Sequence, residues 1–522
     1  MTQIGPTLEI KRQLKRTWNT FFGRFGRLLP IQIAAIPVVL EQRSAILCSP
    51  VASGKTEAVV APIAEILLQD RRTGLSVIYV SPTRALVNDL RERLAGPLSE
   101  LGLPAAVKTA DHPQFDPGNP QSFLLTTPEA LDSLICRSPS VFTALRFVVL
   151  DEIHLIDGTY RGDQLRLLLR RLKDIARDGL CCYALSATLS RAEEVARRYF
   201  DDFVVISIPG RKELEYRLFP SLEEALKAAR ASQMRKILIF CNRRREAEQV
   251  AAVCKDFWPS HHVVVHHGRL ARGVREQTER FMRECQWGLC VATMTLEIGI
   301  DIGDIDLVVL YGAPWSVASL LQRVGRGNRR KDTAVAFGVY RDHQEEAQLR
   351  EMFELARVGA IDDSPYQPDL SVAVQQIFSS LYQHRTGLPT DFFCRLLEGF
   401  CLPEEVELIL AHLAEGGYIE ARQGRWFAAP MVLDMGDRGL IHSNIRTERD
   451  YKVVDASTGR VLGEVSMVLI EGVFRLAGRA WRVLRVDKRR IYVVPAEGGQ
   501  PPEFLGGSSK GAFSHLLPPE LR

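Results

Sequence analysis

Short apolar runs, each bounded by polar or turn-forming positions, recur along the first two thirds of the chain. They fall at 44–48, 76–80, 121–125, 146–150, 181–185 and 203–208, and longer stretches with apolar positions at helical spacing lie between them. Such alternation predicts a parallel sheet wrapped by helices, its strands buried on both faces. A second series at 236–240, 262–266, 288–292, 306–310 and 334–337 predicts another α/β unit. Pro209, Gly210, Arg211, Lys212 and Pro220 mark a turn-rich crossover and hinge between the two. Past about residue 345 the pattern becomes helical, over 346–358, 370–384, 391–398 and 403–415, and a Gly-rich hairpin from Gly416 to Trp426 follows. Helices followed by such a hairpin predict a winged helix. From 449 to 495 the alternation has period two, broken at Ser457-Thr458-Gly459, Glu471-Gly472, Ala477-Gly478 and Asp487-Lys488, which predicts a small antiparallel β-barrel. The expected domains are therefore 1–210 and 211–345, both parallel-sheet α/β units, then a winged helix over 346–432 and a β-barrel over 433–522.

Bulk properties add limits. A chain of 522 residues is too long for one core, and 46% hydrophobic with 25% charged residues describes a globular protein. No apolar run is long enough to cross a bilayer, and the start at Met1-Thr2-Gln3-Ile4-Gly5 has no signal-peptide pattern, so a cytoplasmic protein without a membrane partner is expected. The ten cysteines are scattered through apolar runs with no CxxC pair, which argues for reduced, buried thiols and against a zinc module or an iron–sulfur cluster. A net charge of +4 is too small to argue a polyanion partner from totals.

The chemistry starts at Ser49-Pro50-Val51-Ala52-Ser53-Gly54-Lys55-Thr56, where a strand runs into a small-residue loop and then a helix. Backbone N–H groups and a positive helix end converge there on phosphates, with Ser53 and Gly54 in the cradle and Lys55 reaching the outer phosphates. About a hundred residues later, Asp151-Glu152-Ile153-His154 follows the apolar run 146–150. Thr56 and Asp151 would hold magnesium from two sides, leaving Glu152 to polarise an attacking water. A phosphate loop in the first unit alone implies a far wall bearing arginines. Gln322-Arg323-Val324-Gly325-Arg326-Gly327-Asn328-Arg329-Arg330 supplies it, with Arg326 and Arg329 placed on neighbouring faces of one helical turn as transition-state cations and Gln322 beside them.

At this point the chain resembles the superfamily 2 DEAD/DEAH-box helicases, whose ordered motifs are legible, and its two α/β units are then RecA-like. Pro30-Ile31-Gln32 is similar to the adenine-reading glutamine. Ser81-Pro82-Thr83-Arg84 and Thr126-Thr127-Pro128-Glu129 resemble nucleic-acid-contacting loops, and so do Asn242-Arg243, His267-Gly268 and Thr293 in the second unit. Ser186-Ala187-Thr188 is similar to the motif that couples hydrolysis to movement, working through His154, and Gly299-Ile300-Asp301 to the turn whose carboxylate meets the ribose. Tyr160-Arg161-Gly162-Asp163-Gln164-Leu165, Leu296 to Gly303, Pro368-Asp369-Leu370-Ser371 and the run from Gly472 to Val483 narrow the resemblance to the Lhr-type branch, over nearly the whole chain. The resemblance implies ATP-driven, 3′-to-5′ movement on single-stranded DNA, unwinding of DNA or DNA–RNA duplexes, ATP and Mg2+ as cofactors, and a monomer or weak oligomer whose protein partners are unknown. The alternatives are an RNA remodelling helicase, or an ATP-gated clamp or sensor that recruits partners without unwinding.

Three features depart from the family pattern. Ala52 stands where glycine is usual, Gly327-Asn328 replaces the usual step before Arg329, and the sequence ends soon after the β-domain, which is expected to weaken processivity. Weaker signals have two readings each. His261-His262 and His266-His267 lack a completing ligand nearby and read as strand-end histidines, with His267 near the strand path. Trp426 is either a base-stacking wing or an ordinary hairpin tryptophan covering the barrel. The cations between Trp481 and Arg490 are either phosphate contacts or a solvated edge strand.

Overall fold

The computed structural model describes residues 5–50, 53–70, 73–187, 191–208, 213–297, 302–327, 333–358, 366–445, 450–466, 472–502 and 510–522. The chain divides into two compact units, each assembled from separated segments. The first comprises residues 1–209, 365–447 and 508–522, and the second 210–364 and 448–507.

In the first unit, strands β1 (Ala45–Cys48), β2 (Val77–Val80), β3 (Ala105–Lys108), β4 (Phe123–Thr126), β5 (Phe147–Leu150), β6 (Cys181–Ser186) and β7 (Val204–Ser207) form one parallel sheet in the order β3-β4-β2-β5-β6-β1-β7. The order places β1, which feeds the phosphate loop, two positions from β5, which ends at the Asp-Glu pair, with β6 between them. Helices cover both faces, and two apolar cores result, one on each side of the sheet. Strand β3 was not anticipated from the sequence.

The winged-helix order is present in the same unit. Helices Ser371–Gln383, Thr390–Leu396 and Pro403–Glu415 are followed by a hairpin of β14 (Ile419–Arg422) and β15 (Arg425–Ala428), whose wing Trp426 also bridges back to Leu388. The range expected as a barrel domain, 433–522, is divided: the helix Pro430–Asp437 and the closing 510–522 segment lie in the first unit, while the strands lie in the second.

In the second unit, β8 (Glu213–Phe219), β9 (Lys236–Cys241), β10 (Val263–His266), β11 (Gly288–Ala292), β12 (Leu307–Tyr311) and β13 (Thr333–Val339) form a parallel sheet in the order β10-β11-β9-β12-β13-β8. The crossover residues 209–212 lie outside the described residues. A five-stranded sheet of β16 (Tyr451–Asp455), β17 (Val461–Val465), β18 (Val473–Leu476), β19 (Arg479–Asp487) and β20 (Arg490–Ala496) packs on this unit through one continuous apolar core. Its pairing is antiparallel except for β16 with β20, which run parallel. No helix is long and apolar enough to cross a membrane among the described residues.

Candidate nucleotide and nucleic-acid site

The loop after β1 delivers Lys55 and Thr56 into the first turn of the helix Lys55–Asp70, and both side chains are buried. Gly54 has φ +83, a backbone conformation that favours glycine, and an added Cβ would lie 2.3 Å from Gln32 Nε2, so a side chain there would displace that amide. Lys55 Nζ donates to the carbonyls of Ser49 (2.6 Å) and Pro50 (3.0 Å), and Ser53 Oγ lies 2.5 Å from Ser49 Oγ. Burial lowers the Lys55 pKa, while the charges of Glu152 and Asp151 hold it up. The loop is thus closed on its own ammonium group, which phosphate oxygens would draw away. Val51 and Ala52, including the departure at Ala52, lie outside the described residues.

Asp151 and Glu152 leave the end of β5. The Glu152 backbone is left-handed (φ 43, ψ 46), a conformation that costs a non-glycine residue energy and turns the chain sharply after the strand. Its N–H donates to Asp151 Oδ1 at 3.1 Å, and Ser81 Oγ donates to Asp151 Oδ2 at 3.3 Å. Burial first, then the Glu152 charge, pushes the Asp151 pKa up, with Lys55 opposing. Two crowded carboxylates beside the Ser81 hydroxyl form an oxygen donor set whose mutual repulsion Lys55 only partly offsets, and hard oxygen donors of this kind fit magnesium. His154 joins the carboxylate to the next strand: its Nε2 is 3.5 Å from Glu152 Oε2 and its Nδ1 is 2.9 Å from Ser186 Oγ. Burial lowers the pKa of His154, favouring the neutral ring. Thr188 lies outside the described residues, as do Gly299, Asp301 and Arg329.

Gln32 was expected to read adenine with both ends of its amide. In the structure its Oε1 accepts from Leu29 N–H (2.9 Å), closing its own helix start, and its Nε2 donates to the Gly54 carbonyl (3.3 Å). The amide oxygen is therefore committed and the nitrogen steadies the phosphate loop. Gln32→Ala is expected to raise the ATP concentration needed for half-maximal hydrolysis about two- to tenfold, the worth of one hydrogen bond. Steady-state ATP and GTP hydrolysis by the variant checks this. A lower ATP preference assigns base reading to the amide, and a preserved one leaves it the loop-holding role alone.

In the second unit, Arg323 and Arg326 are buried and do not form a solvated surface. The helix Val317–Val324 ends before Arg326, which sits in the following turn. Arg323 and Arg326 are both 1% exposed. Arg323 Nε pairs with Glu297 Oε1 at 2.6 Å and Nη1 donates to Asn242 Oδ1 at 2.9 Å, while Arg326 Nη2 donates to the Glu297 carbonyl at 2.7 Å. Gln322 is buried beside them.

The expected nucleic-acid contacts separate into three groups. Arg84, Arg243 and Gly268 are exposed, Arg84 being ion-paired with Asp111 at 2.6 Å. Thr83 caps its helix by accepting from Leu86 N–H, and Thr127, Pro128 and Thr293 are buried, so their side chains do not present a contact surface. Three of the expected residues have their side chains engaged within the fold. Asn242 spends both ends of its amide internally, Nδ2 on the Ala313 carbonyl (2.7 Å) and Oδ1 on Arg323. His267 is wholly buried 3.1 Å from Glu248, a buried carboxylate that also accepts from the backbone N–H groups of Ala477 and Gly478. Through that carboxylate it is linked to the five-stranded sheet. Trp426 is half-buried against the winged-helix core, with Nε1 donating to Thr390 Oγ1 at 3.0 Å.

Sequence reasoning missed what Tyr160-Arg161-Gly162-Asp163-Gln164 does. Arg161 bridges the two expected contact loops, with Nε 2.6 Å from Glu129 Oε1 and Nη2 2.6 Å from the Pro82 carbonyl. At Gly162 a Cβ would meet the Ile156 carbonyl at 2.3 Å. Asp163 accepts from Asp369 N–H at 2.8 Å, and Gln164 donates to Asp132 at 3.0 Å and to the His442 carbonyl at 2.9 Å. Asp132, wholly buried, also accepts from Gln375 (2.7 Å), Gln376 (2.8 Å), Ser379 and Arg171 (3.5 Å), so one carboxylate gathers donors from both the α/β layer and the winged helix. The sequence signal was the juxtaposition of this motif with Pro368 to Ile377, which the fold brings together.

Residues 29–195 match the model of the DEAD/DEAH box helicase family, and residues 219–331 match that of the helicase conserved C-terminal domain. An ATP-dependent helicase Lhr-Core protein 2 of Thermococcus barophilus is 30% identical over 98% of this chain and 66% of its own length. The chain belongs to the DEAD/DEAH-box helicases, in the Lhr-like branch. An ATP-dependent helicase Lhr-Core of Methanocaldococcus jannaschii is 31% identical over 92% of this chain and 63% of its own length, so this chain spans about two thirds of the curated relatives it matches. The Mycobacterium smegmatis helicase Lhr, solved with single-stranded DNA and AMP-PNP, shares the fold with a TM-score of 0.73 at 24% identity, covering 85% of this chain and 63% of that one. The DUF1998 helicase MrfA, bound to DNA and AMPPNP, does so with a TM-score of 0.75 at 20% identity, covering 93% of this chain and 73% of that one. This family membership explains the motif order, and the two RecA-like sheets with appended winged helix and curled sheet are its architecture.

Proposed function

We propose that this chain is an ATP-driven nucleic-acid motor that moves 3′-to-5′ on single-stranded DNA and unwinds DNA or DNA–RNA duplexes. The observation that carries it is the gathering of Lys55, Thr56, Asp151, Glu152, His154 and Ser186 at the carboxyl ends of neighbouring parallel strands in one unit, where such sheets bind ligands. The names of the Lhr-Core relatives and the DNA-bound Lhr and MrfA structures support the same reading. ATP is the substrate. Lys55 leaves the Ser49 and Pro50 carbonyls for the outer phosphates, and Glu152 takes the orientation of the attacking water. Thr56 and Asp151 are the residues proposed to hold magnesium, which when bound screens phosphate charge and aligns the phosphate oxygens. Ser53 and Gly54 cradle the phosphates. Arg326 and Arg329 are the proposed cations for the transferring group, and Gly299 and Asp301 the proposed ribose contacts, on the motif resemblance alone. The His154–Ser186 contact, continued by Thr188, is the proposed route from hydrolysis to movement.

The test is ATP hydrolysis by the purified chain with single-stranded DNA, RNA, duplex and hybrid added in turn, beside unwinding of duplexes carrying a 3′ or a 5′ tail. Strand-stimulated turnover with unwinding of the 3′-tailed substrate is expected. Greater stimulation by RNA would replace this reading with an RNA remodelling helicase, and strand binding with turnover but no unwinding would leave an ATP-gated clamp.

A further inference from the structure

Trp315 is 75% exposed, and Met294 is 62% exposed. Both belong to loops leaving the carboxyl ends of strands in the second unit. Met294 follows β11 by two residues, Arg243 follows β9 by two, and Trp315 follows β12 by four. These strands are neighbours in the order β11-β9-β12 and run parallel, so their carboxyl ends lie side by side at about 4.8 Å intervals. An exposed thioether, an exposed guanidinium and an exposed indole thus stand in a row at the end of the sheet where ligands of parallel sheets bind.

An ordinary structural task for Trp315 can be tested on the geometry. Ser316 caps the next helix, its hydroxyl accepting from Ser319 N–H at 3.1 Å, so Trp315 occupies the position from which an apolar residue packs onto the fourth helical residue, Leu320. Leu320 is wholly buried already and the indole remains exposed, so the ring is not spent on that contact. The loop itself is fixed. Gly312 takes φ +84 with its N–H on the Val339 carbonyl (2.9 Å), Ala313 N–H donates to Glu345 Oε1 (3.3 Å), and the Ala313 carbonyl accepts from Asn242 Nδ2 (2.7 Å). Asn242 also holds Arg323, so the loop carrying the ring is tied to the buried arginines through one amide.

We propose, on the strength of the motor reading above, that Trp315 is a stacking platform for one unpaired base of the bound strand, with Arg243 meeting the adjoining phosphate and Met294 extending the apolar ledge. A single strand is the occupant because its bases offer free faces, whereas a duplex hides them, and a cation beside the ring matches the backbone that accompanies each base. The rigid loop presents the ring in place, so little ordering is needed on binding.

The experiment measures affinity of the full chain, with AMP-PNP, for an oligodeoxynucleotide carrying a single abasic site at each position in turn. Wild type is expected to lose roughly five- to a hundredfold in affinity at the position over Trp315. Trp315→Ala is expected to bind the intact strand more weakly by a similar factor and to be insensitive to an abasic site there, and Trp315→Phe to recover most of the loss. Wild-type affinity in Trp315→Ala, or abasic sensitivity unchanged in it, would overturn the proposal. If wild type neither binds the strand nor hydrolyses more ATP with it, the motor reading falls and this one with it. If wild type does both while Trp315→Ala matches it, this inference alone falls.

Discussion

A Glu152→Gln protein is expected to bind ATP and a single strand yet to hydrolyse ATP at least about a hundredfold more slowly than wild type, the usual worth of a general base. The amide is nearly isosteric, so the left-handed turn at residue 152 and the Glu152 N–H bond to Asp151 Oδ1 can persist. What disappears is the negative charge that would draw a proton from water. That charge is also the second cause, after burial, of the raised Asp151 pKa, so the neighbouring carboxylate becomes easier to ionise in the variant and its hold on a cation should improve. Equilibrium nucleotide binding beside single-turnover hydrolysis separates the two effects. Turnover at the wild-type rate would remove Glu152 from the role of water-orienting residue. Lys55→Ala makes the complementary control, since it should lose nucleotide affinity as well.

Asp132→Ala should cost the fold about 3–5 kcal/mol, because it strands a set of buried donors and the Arg171 charge without their acceptor. Arg171 is then left with Gln376 Oε1 (2.9 Å), Ser379 Oγ (2.8 Å) and Gln383 Oε1 (2.6 Å), neutral acceptors that do not balance a guanidinium. Denaturant unfolding of the full chain measures the loss. An unchanged midpoint would show that the carboxylate is not the joint between the α/β layer and the winged helix. The joint also has a pH signature. Burial opposes ionisation of Asp132, but the neighbouring His442 ring and the charge of Arg171 outweigh it and hold the carboxyl below its usual range. Its contribution is present above about pH 4 and is lost only in strong acid. His442, whose Nδ1 is 3.5 Å from Asp132 Oδ1, has burial working against its charge and Asp132 raising its pKa to about 9. Its contribution is therefore complete below about pH 6.5 and fades as the pH rises toward 9. A His442→Gln protein should lose this alkaline sensitivity. For the same reason a chain cut near Arg341 would uncover a wholly buried carboxylate, and failure of such a fragment would say little about what the winged helix does to a strand.

The central strands were legible because each is a continuous apolar run buried on both faces, as at Phe147–Leu150 and Leu307–Tyr311. The two strands the sequence did not announce, β3 (Ala105–Lys108) and β8 (Glu213–Phe219), are both sheet edges. β3 is half-exposed throughout and β8 carries charges, so neither shows the signal that marks a core strand. The proposed nucleotide residues stand out in the sequence because each segment, Ser53 to Thr56 and Asp151-Glu152, is short and directly follows an apolar run. His267 does not, since its partner Glu248 is 19 residues away and a histidine after a strand looks the same whether it faces a ligand or a buried carboxylate. Trp426 and Trp315 show the same limit from opposite sides. Both follow glycine-containing turns, and only the surrounding packing tells which ring is covered.

The first unit is built from three stretches of chain separated by the whole of the second. During synthesis the helices Pro128–Arg137 and Tyr160–Ile175 emerge about two hundred residues before the helix Ser371–Gln383 that covers Asp132, Gln164 and Leu167. At 5–20 residues per second this leaves a patch of apolar and charged surface without its cover for roughly ten to forty seconds. Phe513, Leu516 and Leu517, which complete the winged-helix core, arrive later still. A nascent chain in this interval is the form most exposed to aggregation and to proteases, so substitutions on the face of Tyr160–Ile175 that leave the finished protein stable should still lower its yield in cells.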